Sequence, residues 1–268
     1  MKYKLLAVDV DGTLVNNNRE VTEKTKEYIK MAIEKGIVFT ISSGRPIQGV
    51  KLITEQIGVD IPVITYNGAM VITADGKNII YSCNMKEEDV LEIEKYGKEF
   101  NTTIAIWSEN KLYTNRIDEK ALKYSQVSGT KPQRYSNLKE LVKKGINKML
   151  WFDDIERINS FERELHGKLG PSVNFHTSQP IYLEFVDRNA SKAIALEKLG
   201  QYYNIKREEM IAVGDGFNDL SMIEYAGLGV AMENAPDEVK KAADFLTLSN
   251  EEDGVAFVIE KFIFNQFT

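Results

Sequence analysis

The stretch Lys4-Leu5-Leu6-Ala7-Val8-Asp9-Val10-Asp11-Gly12-Thr13-Leu14 decides how this chain is read. Leu5 to Val8 is an unbroken apolar run, the pattern of a strand buried on both faces of a parallel sheet. The run then delivers two carboxylates, Asp9 and Asp11, with one residue between them. Residues two apart in extended backbone share a face, so the spacing predicts that both acids point into one pocket beyond the strand end. Two like charges at the edge of a core repel each other and lose hydration, so something must offset them. A hard cation such as Mg2+ suits that place, because it takes oxygen ligands and bridges to phosphate. Gly12 is free to adopt the backbone angles that turn the chain afterwards.

Three readings of this stretch compete. Most Asp-Gly pairs mark a polar turn at a strand end. A calcium loop would place Glu20 at its twelfth position counted from Asp9, but it needs Gly at the sixth, where Leu14 stands, and a preceding helix. The third reading is a catalytic carboxylate pair, and the rest of the chain has to decide between it and the turn.

The chain has 268 residues, 43% of them hydrophobic and 28% charged, enough for one large globular domain or two ordinary ones. A net charge of -6 argues against a nucleic-acid or membrane-surface binder, which would show a basic face. One cysteine, Cys83, excludes an internal disulfide and a cysteine zinc cluster, and two histidines are too few for a histidine-rich metal site. The apolar run at the N-terminus is too short for a signal peptide or a membrane span, so a reducing, cytoplasmic setting is expected.

Working outward, Thr22 is placed to cap a helix running to about residue 35, where Gly36 ends it. Residues 37–41 read as a second buried strand, followed by Ser42-Ser43-Gly44-Arg45-Pro46 and a helix over 46–57. Strand, helix, strand in this rhythm predicts a parallel βαβ unit. A third strand over 61–66 ends at Asn67-Gly68, and 69–73 with 78–81 read as a hairpin around Asp75-Gly76. From about residue 83 to 186 helices alternate with paired strands (102–107 with 111–115, 173–177 with 181–186), the pattern of an antiparallel α+β module. The parallel rhythm resumes with a helix from Ser191, a strand over 210–213, the loop Gly214-Asp215-Gly216-Phe217-Asn218-Asp219, and further alternation to a last helix over 255–264. The expected architecture is α/β: a doubly wound parallel-sheet core formed by 1–82 plus 187–268, around an inserted α+β domain over 83–186.

In an open α/β sheet, ligands bind beyond the carboxyl ends of the strands. Three polar clusters fall there: Asp9 with Asp11, Ser42-Ser43-Gly44, and Asp215 with Asn218 and Asp219. Each has an ordinary explanation alone. Ser43 before Pro46 suits a helix start. Gly214-Asp215-Gly216 suits a helix-opening loop, and fails as a dinucleotide fingerprint because Asp219 stands where the third Gly belongs. Lys192 at a helix start is ordinarily a solvated lysine. Their joint occurrence in this order is what those explanations do not cover.

The set resembles the haloacid dehalogenase-like (HAD) phosphohydrolase superfamily over essentially the full length. Asp9-Val10-Asp11-Gly12-Thr13 matches its first motif, Ser43 its second, Lys192 its third, and Gly214-Asp215-Gly216-Phe217-Asn218-Asp219 its fourth. Tyr66-Asn67-Gly68-Ala69 and the insertion between the second and third motifs look like the Cof-type subfamily with a large C2B-type cap. The resemblance implies a Rossmann-like core and a Mg2+-dependent phosphatase of small phosphorylated metabolites, with sugar phosphates first and flavin mononucleotide or other cofactor phosphates next. It implies Asp9 as nucleophile and Asp11 as acid/base. Mg2+ would be held by Asp9, the Asp11 carbonyl and Asp215, with Asp219 or Gly216 supporting. Val10, Ser43, Gly44, Lys192 and Asn218 would contact the phosphate. Thr13, Arg45 and Asn67 would stand behind these groups, and Glu184 would meet a substrate hydroxyl or serve the structure of the cap. The expected partner is a small phosphorylated molecule, with neither nucleic acid nor membrane, and the chain is expected as a monomer or weak homodimer. Two rival functions remain: a phosphomutase of the phosphomannomutase type, which needs a cap arginine cluster not evident here, and a non-catalytic phosphate-binding regulatory protein.

Overall fold

The computed structural model describes residues 2–73 and 75–265. In chain order the first elements are β1 (Leu5–Val8), α1 (Glu23–Glu34), β2 (Val38–Ser42), α2 (Ile47–Ile57), β3 (Val63–Thr65), β4 (Met70–Ile72) and β5 (Ile79–Ser82). Then follow α3 (Glu87–Glu99), β6 (Thr103–Ser108), β7 (Lys111–Thr114), α4 (Glu119–Ser128), β8 (Gln133–Arg134), α5 (Leu138–Lys144), β9 (Lys148–Phe152), α6 (Ile155–Leu165), β10 (Val173–Gln179) and β11 (Tyr182–Asp187). The chain closes with α7 (Lys192–Tyr203), β12 (Met210–Gly214), α8 (Leu220–Tyr225), β13 (Leu228–Ala231), α9 (Asp237–Ala242), β14 (Phe245–Leu246) and α10 (Gly254–Ile259), which continues as a π-helical stretch, Glu260–Phe264. No helix among the described residues is long and apolar enough to cross a membrane.

Contacts divide the chain into two compact units, Met1–Tyr81 with Ser191–Thr268, and Ser82–Ala190. Ser82 and the residues 187–190 thus fall in the second unit, beyond the boundaries expected from sequence. Strand pairing is the reason at the second crossing: Asp187 is still in register with Val173 on β10, and its carboxylate accepts from Asn189 N at 2.8 Å.

The first unit is built on an eight-stranded sheet in the order β14-β13-β12-β1-β2-β3-β4-β5. Pairing is parallel from β14 through to β3, and antiparallel between β3 and β4. Leu5 and Ala7 of β1 join Ala195, Leu196 and Leu199 of α7 and Met222 of α8 in one apolar cluster. Leu6 and Val8 alternate with them, are equally buried, and face the opposite layer. This burial on both sides is why β1 reads as a continuous apolar run. After β1 the chain winds outward through β2 and β3, and β12, on its other side, begins the run through β13 to β14. The order of connection reverses between β1 and β12, so their carboxyl ends flank the crevice where doubly wound sheets bind ligands. Helix starts follow local chemistry: the Thr22 hydroxyl accepts from Thr25 N at 3.2 Å and caps α1, and the Ser191 hydroxyl accepts from Ile194 N at 3.1 Å and caps α7.

The second unit holds a six-stranded sheet, β10-β11-β9-β6-β7-β8, antiparallel except for β7 with β8. Its core gathers Val90 and Ile93 of α3, Leu141 of α5, Phe161 of α6, and Ile104, Trp151 and Phe185 from the strands. Trp107 lies in the same sheet, fully buried, and donates its indole N–H to Tyr124 Oη at 3.0 Å. The central strand β9 is absent from the sequence reading. Its partners β6 and β11 are distant along the chain, so no hairpin turn marks it, and five residues are too few for periodicity to tell strand from helix.

Candidate active site

The site grows from the end of β1. Asp9 N still donates to Val213 O at 3.0 Å, continuing the ladder with β12 by one residue. Then the chain coils: the Val10 carbonyl accepts from Leu14 N and Val15 N, each at 3.1 Å, while the Val10 side chain is fully buried. Pleating therefore stops before Asp11, so strand alternation no longer fixes where its side chain points. Asp9 points inward and is 6% exposed. Asp11 points outward to Arg45, which holds it bidentately, Nε to Oδ2 at 2.9 Å and Nη2 to Oδ1 at 2.5 Å. Gly12 makes the coil possible with φ +82, and the Asp215 carboxylate occupies the place a Cβ would need. Thr13 Oγ1 donates to Asp215 Oδ1 at 2.7 Å.

Lys192 is no solvated lysine. It is the first residue of α7, its side chain is wholly enclosed, and its ammonium donates to Asp9 Oδ1 at 2.6 Å, Asp219 Oδ1 at 2.5 Å and the Ser42 carbonyl at 2.8 Å. Three protons meet three acceptors. The other Asp219 oxygen accepts from Asp215 N at 3.1 Å and Gly216 N at 2.9 Å. Asp219 is thus committed on both oxygens to shaping the loop and orienting Lys192. Asp9, Asp215 and Asp219 each offer an oxygen within 4.8 Å of the others.

Three carboxylates around one ammonium leave an excess of negative charge in a buried place. Burial, followed by the Asp219 charge, pushes the Asp9 carboxyl up to about 8. Burial likewise pushes Asp215 up to about 6, against the hydrogen bond from Thr13. Burial disfavours the Lys192 cation, but the charges of Asp219 and Asp9 outweigh it and hold the ammonium protonated beyond its ordinary range. The donor set is all oxygen, anionic and under-compensated, which fits a hard divalent cation such as Mg2+.

On the β2 side, Ser43 is buried and tied by its amide to Ile64 O at 2.9 Å. Its hydroxyl accepts from Arg45 N at 3.2 Å, closing a short turn, and it does not cap α2, whose first position follows Pro46 without a side-chain cap. Asn67 N donates to Ser43 O at 3.1 Å, and the Asn67 side chain packs on Gly44 and accepts from Asn218 Nδ2 at 3.3 Å. Gly68 follows with φ +95 and backs onto the Ser191 carbonyl, leaving no room for a side chain. Ser43, Gly44, Asn67 and Asn218 thus form one rim of the crevice. Glu184 belongs to the second unit, on β11, where it is buried and lies 2.6 Å from Lys148 Nζ.

Two contributors escape a reading of side-chain types. The Ser42 carbonyl is a backbone group, invisible as a motif. Asn234 sits in the loop after β13, two residues before Pro236, where it signals only a turn, yet its Nδ2 donates to Gly12 O at 2.8 Å.

The sequence model of the haloacid dehalogenase-like hydrolases matches residues 6–259. A putative phosphatase of Bacillus subtilis, YxeH, is 32% identical over 97% of this chain and 98% of its own length. The 5-amino-6-(5-phospho-D-ribitylamino)uracil phosphatase YwtE of the same organism is 30% identical over 98% of this chain and 99% of its own. A haloacid dehalogenase-like hydrolase from Bacteroides thetaiotaomicron superposes with a TM-score of 0.86 at 33% identity, covering 97% of this chain and 99% of that one. The subclass IIB sugar phosphatase BT4131 superposes with a TM-score of 0.79 at 26% identity, covering 97% and 98%. With its parallel sheet, its acidic crevice and a family match across almost its whole length, the chain belongs to the haloacid dehalogenase-like hydrolases.

Proposed function

We propose that this protein is a Mg2+-dependent phosphatase of small phosphorylated metabolites, with sugar phosphates as the leading substrate class and cofactor phosphates such as flavin mononucleotide next. The observation that carries the reading is Asp9: a buried carboxylate at the mouth of the sheet's switch point, aligned by Lys192 and surrounded by further acids. The sugar phosphatase among the neighbours and the ribitylamino-uracil phosphatase among the relatives support polyol-borne monoesters as the substrate class.

Phosphate monoesters resist nucleophiles because their oxygens are negative, so positive charge has to meet them. Lys192 supplies a compact cation, and Ser43 and the Gly44 amide, with Asn218 opposite, line the rim where phosphate oxygens would rest. An Asp9 oxygen forms a bond to phosphorus as the ester P–O bond breaks, giving an aspartyl-phosphate and an alkoxide. Asp11 gives the alkoxide its proton, then removes one from the water that attacks phosphorus and releases Asp9. For this the Arg45 pair has to open and Asp11 has to take up a proton from solvent, to which its side chain is 59% exposed. Asp9, Asp215 and the Asp11 carbonyl are the proposed holders of Mg2+, with Asp219 and Gly216 shaping the loop behind them. When bound, Mg2+ would neutralise the carboxylates and the phosphate together.

Phosphate release from a panel of sugar phosphates, nucleotides and cofactor phosphates, with Mg2+ and with chelator, tests this. Strong Mg2+-dependent release from a few related esters is expected. Release unaffected by chelator would refute the metal assignment, and no release from folded, metal-loaded protein would overturn hydrolysis in favour of the phosphomutase and non-catalytic phosphate-binding readings.

A further inference from the structure

We propose that Asn234 is a positioning residue for the metal-holding carboxylate Asp215, an inference that rests on the metal assignment above. Its side chain bridges two loops. Nδ2 donates to Gly12 O at 2.8 Å, and Oδ1 accepts from Asn250 N at 3.1 Å. The peptide that Asn234 grips joins Gly12 to Thr13, and the Thr13 hydroxyl donates to Asp215 Oδ1 at 2.7 Å. Gly12 itself lies flush against the Asp215 carboxylate, where no side chain fits. A rotation of that peptide would therefore move both groups that define where Asp215 points.

The turn needs an external hold at this point. Its internal bonds converge on the Val10 carbonyl, from Thr13, Leu14 and Val15, which leaves the Gly12 carbonyl to Asn234. The loop beyond β14 supplies the anchor for that hold. Asn250 Nδ2 also donates to Val15 O at 3.0 Å, and Asn17 N donates to Glu251 Oε1 at 2.6 Å. Asp253 accepts from the Thr22 and Thr25 hydroxyls at 2.5 and 3.2 Å. Of these ties, only the Asn234 bridge leads within two hydrogen bonds to Asp215. The others secure the segment at a distance from it.

That difference makes the proposal separable from general stabilisation. Asn234 and Glu251 are both exposed, so alanine at either removes hydrogen bonds without opening the core. Mg2+ binding, measured by calorimetry on the whole protein without substrate, is the readout. Losing a direct partner of a metal ligand typically weakens affinity about ten- to hundredfold; Asn234 stands one bond further out, behind Thr13, so Asn234→Ala is expected to raise the Mg2+ Kd by about three- to tenfold, and Glu251→Ala to change it less than about twofold. Asn234→Gln, which keeps an amide donor, should recover part of the loss. Excess Mg2+ should restore turnover in Asn234→Ala, with KM for substrate unchanged. An unaltered Kd in Asn234→Ala, or an equal loss in Glu251→Ala, would overturn the proposal. Should the alanine variant not fold, Asn234→Ser carries the same comparison. A wild-type protein that binds no Mg2+ would instead sink the metal assignment, and this inference with it.

Discussion

Two buried lysines, one in each unit, hold carboxylates in opposite ways. Lys148 lies on the central strand of the second unit, 3% exposed, and faces Glu184 at 2.6 Å, a cation set against an anion. Lys192 lies at the end of the parallel sheet, 1% exposed, and meets two carboxylates with a third, Asp215, beside them. Burial costs both lysines hydration. In the second unit the opposite charges of Lys148 and Glu184 offset it within the pair. In the first unit burial, with the Asp219 charge added to it, raises the carboxyls of Asp9 and Asp215. The comparison teaches that burial combined with uncompensated like charge marks the first unit's cluster off from a charge-matched pair.

The harshest test of that contrast is Asp9→Asn. It removes the proposed nucleophile and relieves the excess charge at once, so turnover should fall below detection while the metal-free melting temperature holds or rises. Appreciable phosphate release from this variant would remove the nucleophile assignment. Asp11→Asn should come next. Loss of a general acid/base typically costs about 10²–10⁴ in rate, and rapid quench should show phosphoenzyme accumulating, while substrate still binds. Wild-type turnover in it would end the acid/base role.

The lysines themselves sharpen the contrast. Removing one partner of a buried ion pair typically costs about 3–5 kcal/mol, and Lys192→Met should reach that range in urea unfolding at neutral pH. Replacing both members of the other pair, Lys148→Met with Glu184→Leu, should change stability by less than about 2 kcal/mol, because the two opposite charges are removed together. A double variant as unstable as Lys192→Met would erase the distinction.

The most gradual expected effect is a slope with pH. Asp9 is raised from 3.8 to about 8 and Asp215 from 3.8 to about 6, so the folded protein binds more protons than the unfolded chain across that window. Stability of the metal-free protein should therefore decline as pH rises from about 4 to 8. Mg2+ competes with those protons, so the rise in melting temperature that it causes should be larger at pH 8 than at pH 5. The upward shift of Lys192 lies above this window and does not reverse the sign. An increment that shrinks with pH would break the assignment of Asp9 and Asp215 as metal holders.

Much of the fold is written locally, and much of the site is not. Apolar runs such as Leu5 to Val8 announce strands buried on both faces, and Thr22 and Ser191 announce helix starts, because hydrophobic pattern and capping act within a few residues. β9 could not be read that way, since its identity comes from strands far along the chain. The polar clusters at residues 9–13, 42–44 and 214–219 were recognisable as residue types at the carboxyl ends of strands. The bonds they make were not.

By itself, then, the sequence determined the alternation of strands and helices, the order of the sheet's polar ends and the family, since each depends on residue type and spacing. Tertiary structure alone decided that Asp11 pairs with Arg45 while Asp9 pairs with Lys192, because pleating stops before Asp11 and the Val10 carbonyl gathers the next turn. It alone converted Lys192 into an enclosed donor to three groups, and it alone brought Asn234 to Gly12. Those contacts join residues 183 and 222 positions apart, and only the closed sheet, with β1 lying beside β12, brings such distant segments together.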